Sequence, residues 1–229
     1  MKRYLILLSS GTGTRFGSDT PKQFVEVCGK MVIEWTLDAC DCDLFDEIIL
    51  VVSKDYIHMA NDLVNRRDSK SSLKVIEGGS TRRESCERGL DGITGDGIVI
   101  VHNGVQPFVK KQSFENCFAA LEKYKAVTCG VKCVYTALVS NNDHVLTDTP
   151  DRSQMYSDYG PEGFHISFLK QILDVGRDDT VSTGLCGTVF RNRLGDVYVA
   201  EGDPGNIKIT YPDDLALAEW ILQKRALVK

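Results

Sequence analysis

The chain has 229 residues, which fits one large α/β domain or two small ones and allows roughly 70–75% of the unfolded surface to be buried. Its 42% apolar and 26% charged residues describe an ordinary soluble globule. With no run near eighteen apolar residues and no leader-like opening stretch, a membrane span is excluded and a cytoplasmic location is expected. The net charge of −5, with no Lys/Arg cluster among aromatics, argues against nucleic acid as a partner.

The first predicted element is the apolar run Tyr4–Leu8, read as a buried strand. It feeds at once into Ser9-Ser10-Gly11-Thr12-Gly13-Thr14-Arg15-Phe16-Gly17, and Pro21-Lys22-Gln23-Phe24 follows. Small residues let backbone N–H groups approach phosphate oxygens, and Arg15 and Lys22 supply charge-assisted contacts. Phosphoryl or nucleotidyl chemistry is therefore the leading class. The dinucleotide fingerprint does not fit, because Gly17 falls one place late, and no Gly-Lys-Ser/Thr closes a Walker loop.

Strand-like runs at Glu47–Val52, Leu73–Ile76, Gly97–His102 and Ala126–Val131 then alternate with helical patterns at Val32–Ala39, Tyr56–Arg66, Arg83–Leu90 and Gln112–Tyr124. This alternation predicts an α/β fold, a Rossmann-like, mostly parallel sheet covered by helices on both faces. Ligands should gather beyond the carboxyl ends of the strands, where the Ser9–Gly17, Gly78-Gly79 and His102–Pro107 loops fall. After Val131, two β-prone runs, Cys133–Ser140 and His144–Thr149, flank Asn141-Asn142-Asp143 and read as a protruding β-arm. A helix over Ile166–Val175, an alternating stretch Asn206–Thr210 with Lys208 opposite two isoleucines, and an amphipathic segment Asp213–Lys224 close the chain. Residues 1–229 are read as a single domain with its arm at 133–149. The eight cysteines lack metal-site spacing and read as free, mostly buried thiols.

Ser-Gly-Thr-Gly-Thr-Arg-Phe-Gly with Pro-Lys-Gln-Phe resembles the signature of the small cytidylyltransferases, the family of 2-C-methyl-D-erythritol 4-phosphate cytidylyltransferase and its ribitol-5-phosphate relatives. The resemblance recurs in order at Gly78-Gly79-Ser80-Thr81-Arg82, at His102–Pro107, at Gly205–Thr210 and at Pro212-Asp213-Asp214-Leu215, spanning essentially the whole chain. It implies the nucleotide-diphospho-sugar transferase-like fold and an attack by a substrate phosphate oxygen on the α-phosphorus of CTP, with loss of pyrophosphate. Arg15, Lys22 and Lys208 are then the cations on the triphosphate. Gly79, Ser80 and Ser85 match positions that shape the cytosine and ribose pocket, with Ser9, Ser10, Gly11 and Gly104 along the same nucleotide. Arg82 starts the following helix in support of the phosphate loop. Arg152 and Thr136 occupy family positions that contact the alcohol-phosphate substrate. Mg²⁺ is expected as a bridge between triphosphate oxygens, with no protein cage of its own. In the family the arm crosses to a second subunit, which implies a homodimer whose arm brings Thr136 or Arg152 to the partner's acceptor site.

Departures from the pattern cluster on the acceptor side. The family's His-Asp-Ala-Ala-Arg-Pro is His102-Asn103-Gly104-Val105-Gln106-Pro107 here, so Asn103 and Gln106 replace a carboxylate and a guanidinium. Gly160-Pro161-Glu162 stands for Thr-Pro-Gln, Tyr135 for the Asp before Thr136, and Ser182-Thr183-Gly184 for Thr-Asp-Asp/Glu. Neutral amides both donate and accept, which alters polyol recognition. The expected acceptor is therefore an unbranched polyol phosphate, ribitol 5-phosphate first and a glycerol phosphate second, with 2-C-methyl-D-erythritol 4-phosphate as the alternative. Preference for UTP and a hexose 1-phosphate would mark a sugar-nucleotide enzyme instead, and tight CTP binding without product a non-catalytic homologue.

Overall fold

The computed structural model describes residues 1–11, 16–17, 20–176 and 184–227. In chain order the elements are β1 (Lys2–Ser9), β2 (Glu26–Val27), β3 (Lys30–Met31), α1 (Val32–Cys40), β4 (Glu47–Val52), α2 (Ile57–Asn65), β5 (Ser72–Glu77), α3 (Arg82–Asp91) and β6 (Gly97–Asn103). They continue with α4 (Lys111–Leu121), β7 (Ala126–Lys132), β8 (Val139–Ser140), β9 (Leu146–Asp148), β10 (Tyr156–His165), α5 (Ile166–Val175), α6 (Gly184–Arg191), β11 (Val197–Glu201) and α7 (Asp213–Leu227).

Seven strands form one sheet in the order β11-β7-β10-β6-β1-β4-β5. All neighbours run parallel except β10, which lies antiparallel between β6 and β7. Alternation along β1 explains the two layers. Leu5 and Leu7 pack with Ile33 and Leu37 of α1, Leu63 of α2 and Phe114 of α4. Tyr4, Ile6 and Leu8 point the other way, to Cys86 of α3, Leu169 of α5 and Val189 of α6. Each such side chain contributes roughly 1.5–3 kcal/mol on leaving water. A third cluster, including Phe108, Ile209 and Ala218 of α7, closes one end of the sheet. The predicted layered fold is thus present, and five of the eight free cysteines are fully buried.

The structure adds detail at three places. The ten-residue strand β10 was not anticipated, because Gly160-Pro161 reads as a turn and proline is foreign to a central strand. It is accommodated at a register shift between Asp158 and Glu162, where the ladder is interrupted and no proline N–H is required. The arm is thinner than expected, with only β8 and β9 paired across the Asn141 turn. Residues 206–210 do not join a sheet. Ile209 is buried and Lys208 exposed all the same, so the alternation survives as a loop threaded over the third cluster.

Candidate active site

Register puts the functional loops side by side. Leu8 pairs with Val51 on one side and Asn103 on the other, so β1, β4 and β6 end level. The chain leaves each strand through a further bond, Gly78 N to Val52 O at 2.7 Å and Gly104 N to Leu8 O at 2.8 Å. Two cavities of about 510 Å³ each open above these ends. Arg82, Asn103 and Lys208 line both and mark their junction.

The first cavity is walled by Ser9, Ser10, Gly11, Lys22, Gln23, Ser53, Gly79, Ser80 and Thr81. Its charged lining is Lys22, Arg82 and Lys208, with no carboxylate among the described residues. A space bounded by cations, hydroxyls and backbone suits a polyanion. Arg15 lies outside the described residues, as do Ser182 and Thr183. Gln23, which sequence reasoning did not single out, is almost fully buried and donates from Nε2 to Ser9 O at 2.7 Å and Gly11 O at 2.9 Å. It ties together the Ser9 and Gly11 carbonyls where the chain leaves β1.

The Gly78–Ser85 turn is tied from below. Ser85 is fully buried and its Oγ accepts from Gly79 N at 3.1 Å while donating to Thr81 O at 2.8 Å, and it lies 2.7 Å from Ser10 Oγ. It therefore braces the nucleotide loops rather than opening into the cavity. Thr81 caps α3 by accepting from Glu84 N, and Glu84 accepts from the Ser80 N–H and hydroxyl, both at 2.7 Å. Those Ser80 hydrogen bonds hold the Glu84 carboxyl below its ordinary range. Gly104 stands behind the wall, where a Cβ would fall on the Ser9 hydroxyl.

The second cavity is lined by Val101, Gln106, Asp158, Tyr159, Gly160, Glu162, Gly184, Asn206 and Ile207 beside the shared residues. Gln106 is buried and fully engaged. Its Oε1 accepts from Asn103 Nδ2 at 2.5 Å, and its Nε2 donates to Tyr159 O at 2.8 Å and Asn206 O at 3.3 Å. The Asn103–Gln106 pair thus also joins the end of β6 to β10 and to the Asn206 loop. His102 beneath it is buried, and burial holds its pKa down at about 4. Glu162 accepts from Arg82 Nη2 and from Cys186 N, each at 2.9 Å. Burial and the Glu162 charge raise the Asp158 carboxyl above its ordinary range. Thr136 is exposed on the arm and Arg152, just past it, donates to Val134 O at 3.1 Å, and neither lines the two cavities of this chain. Among the described residues no group of three His, Cys, Asp or Glu side chains could hold a metal ion.

A doubly wound sheet with a cation-lined cavity at its carboxyl edge and a second cavity adjoining it defines a nucleotidyltransferase-like protein. Residues 4–224 match the family model described as IspD, 2-C-methyl-D-erythritol 4-phosphate cytidylyltransferase, and the chain belongs to this family of cytidylyltransferases. The enzyme of that name from Clostridium perfringens strain SM101 is 35% identical over 221 residues, covering 95% of this chain and 97% of its own. The one from Clostridium botulinum strain ATCC 19397 is 32% identical over 232 residues, covering 97% and 98%. The crystal structure of 4-diphosphocytidyl-2C-methyl-D-erythritol synthase from Anaerococcus prevotii superposes with a TM-score of 0.85 at 29% identity, over 97% of this chain and 98% of that one.

Proposed function

We propose that this protein transfers a cytidylyl group from CTP to 2-C-methyl-D-erythritol 4-phosphate, forming a CDP-alcohol and pyrophosphate. The observation that carries the reading is the pair of adjoining cavities, one lined by cations without carboxylates and the other by mixed polar groups, meeting at Lys208 and Arg82. The α-phosphorus would sit at that junction. An acceptor phosphate oxygen forms the new P–O bond as the bond to pyrophosphate breaks, and Lys22, Arg15 and Lys208 balance the charge on the leaving and equatorial oxygens. Mg²⁺ would be held by the triphosphate itself, where it lowers repulsion among the phosphates, and among the described residues no group of three His, Cys, Asp or Glu side chains offers a cage.

This acceptor order reverses the sequence expectation, because the family and the relatives above carry the branched acceptor in their names. An unbranched polyol phosphate is kept as a second reading on one observation, the neutral Asn103–Gln106 pair in the acceptor-side cavity. Exposed apolar side chains on the arm, Val134, Tyr135, Leu138 and Leu146 among them, support the homodimer. The absence of a helix long and apolar enough to cross a membrane, among the described residues, is compatible with a cytoplasmic enzyme.

The deciding experiment incubates the protein with Mg²⁺, each of four nucleoside triphosphates, and 2-C-methyl-D-erythritol, ribitol, erythritol and glycerol phosphates. Pyrophosphate release with CTP and the branched acceptor is expected. Higher kcat/KM with ribitol 5-phosphate would install the second reading, and no release with any pair would defeat both.

A further inference from the structure

The side-chain amide donors of the acceptor-side cavity are spent, and two of its side-chain acceptor oxygens are not. Both recorded Gln106 amide bonds run to backbone oxygens, and Asn103 Nδ2 is committed to Gln106. Asn206, fully buried, donates from Nδ2 to Tyr159 O at 3.0 Å, while its Oδ1 has no hydrogen-bond partner. Asp158 accepts from Thr128 Oγ1 and from Gly160 N, both at 2.9 Å and both on Oδ1, so the carboxylate is oriented while Oδ2 accepts no hydrogen bond from the described residues. A buried acceptor without a donor is costly to keep. A ligand hydroxyl that donates to Asn206 Oδ1 removes that cost, and Asp158, exposed and lining the same cavity, offers Oδ2 as a second, already oriented acceptor.

Charge narrows the ligand further. Two carboxylates, Asp158 and Glu162, face two cations, Arg82 and Lys208, across the same cavity. The balance favours neutral donors over an ammonium group, with Arg82 and Lys208 at the junction where a phosphate would lie. We infer that Asp158 and Asn206 are specificity-determining residues that read the hydroxyls of the acceptor, Asp158 through Oδ2 and Asn206 through Oδ1. The inference rests on the polyol-phosphate reading above and names the atoms that choose the polyol. Asp158 lies at the amino end of β10, two residues before the Gly160-Pro161-Glu162 segment that departs from the family pattern, whereas Asn206 lies in the Gly205–Thr210 stretch that matches it.

The test compares polyol probes, 2-C-methyl-D-erythritol 4-phosphate and ribitol 5-phosphate, with 4-hydroxybutyl phosphate, a chain that lacks the inner hydroxyls. The wild-type protein should favour its better polyol by about a hundredfold in kcat/KM. Asp158→Asn keeps the oxygen that Thr128 and Gly160 bond but turns the other into a donor, and it should narrow that preference by about tenfold while KM for CTP stays within about twofold. Thr128→Val, which leaves the carboxylate and removes one of its two orienting bonds, should shift acceptor KM in the same direction by less, and it decides the matter if the first variant does not fold. An unchanged preference in a folded variant overturns the inference and leaves the proposed function standing. No turnover of either polyol by the wild-type protein overturns both.

Discussion

Arg82 Nη2 lies 2.9 Å from Glu162 Oε2, so the first residue of α3 on the nucleotide side is fastened to β10 on the acceptor side. The second Glu162 oxygen accepts from Cys186 N, which draws the start of α6 into the same carboxylate. Glu162 is 4% exposed and Arg82 40%, so the carboxylate bears most of the desolvation. Burial opposes the Arg82 charge, and the adjacent Glu162 outweighs it, raising the guanidinium pKa.

Glu162→Gln should therefore loosen both halves of the site at once. Its amide retains an acceptor for only one of the two donors, and a loss of about 1–3 kcal/mol is expected from urea unfolding. The acceptor KM should rise with it. Unchanged stability and KM would show that the pair is incidental.

The cations at the nucleotide cavity should act on turnover. Lys22→Ala and Lys208→Ala are each expected to lower kcat by about a hundredfold or more, through lost stabilisation of developing charge. The family resemblance extends the same expectation to Arg15→Ala. Steady-state rates at saturating CTP decide it, and a change confined to KM would assign these residues to ground-state binding.

Gly79→Ala tests how closely the turn is packed. A Cβ there would fall on Glu84 Cβ and within 3.1 Å of the Glu84 carbonyl carbon, positions that no side-chain rotation relieves. The Ser80–Glu84 link must shift, and overpacking of this kind costs about 1–3 kcal/mol. Weaker CTP binding by calorimetry is expected, and wild-type affinity would mean that the turn yields freely.

His102 supplies a pH dependence of stability. Its pKa is about 4 in the fold against 6.5 for the unperturbed group, the cause being burial, which the hydrogen bond to Gln106 O opposes and the Arg82 and Lys208 charges reinforce. The unfolded chain therefore binds the extra proton first. Stability is complete above pH 6.5 and falls as pH drops toward 4, by about 3 kcal/mol in all from this group. Urea midpoints at several pH values should show that slope, and His102→Gln should flatten it.

The cation-lined cavity was legible because small residues and cations sit together in short loops after apolar strands. Lys22, Ser9, Ser10, Gly11, Gly79 and Ser80 all line one cavity as that pattern implies. Even the ends of α5, at Ile166 and Val175, follow directly from its periodicity. The acceptor half was not legible. Glu162 and Asp158 belong to a strand hidden by Gly160-Pro161, and their roles depend on Arg82 and Thr128, 80 and 30 residues away in the chain. Gln106 could be read as changed chemistry, but its bond to Asn206, 100 residues on, has no local signal. The side chain of Gln23 was visible only as part of a motif, since its two backbone partners are fixed by the turn and not by spacing.

The antiparallel placement of β10 also orders events during synthesis. Strands β6, β1, β4 and β5 neighbour one another and are complete once Asn103 has emerged, so the nucleotide-facing block has its partners within the first half of the chain. Strand β7 has no such option. Its only neighbours in the sheet are β10 and β11, both made later, and β10 is also its sole bridge to β6. A nascent chain halted before Tyr156 would carry Ala126–Lys132 as an apolar strand with both edges open, a candidate for chaperone capture or aggregation on the ribosome.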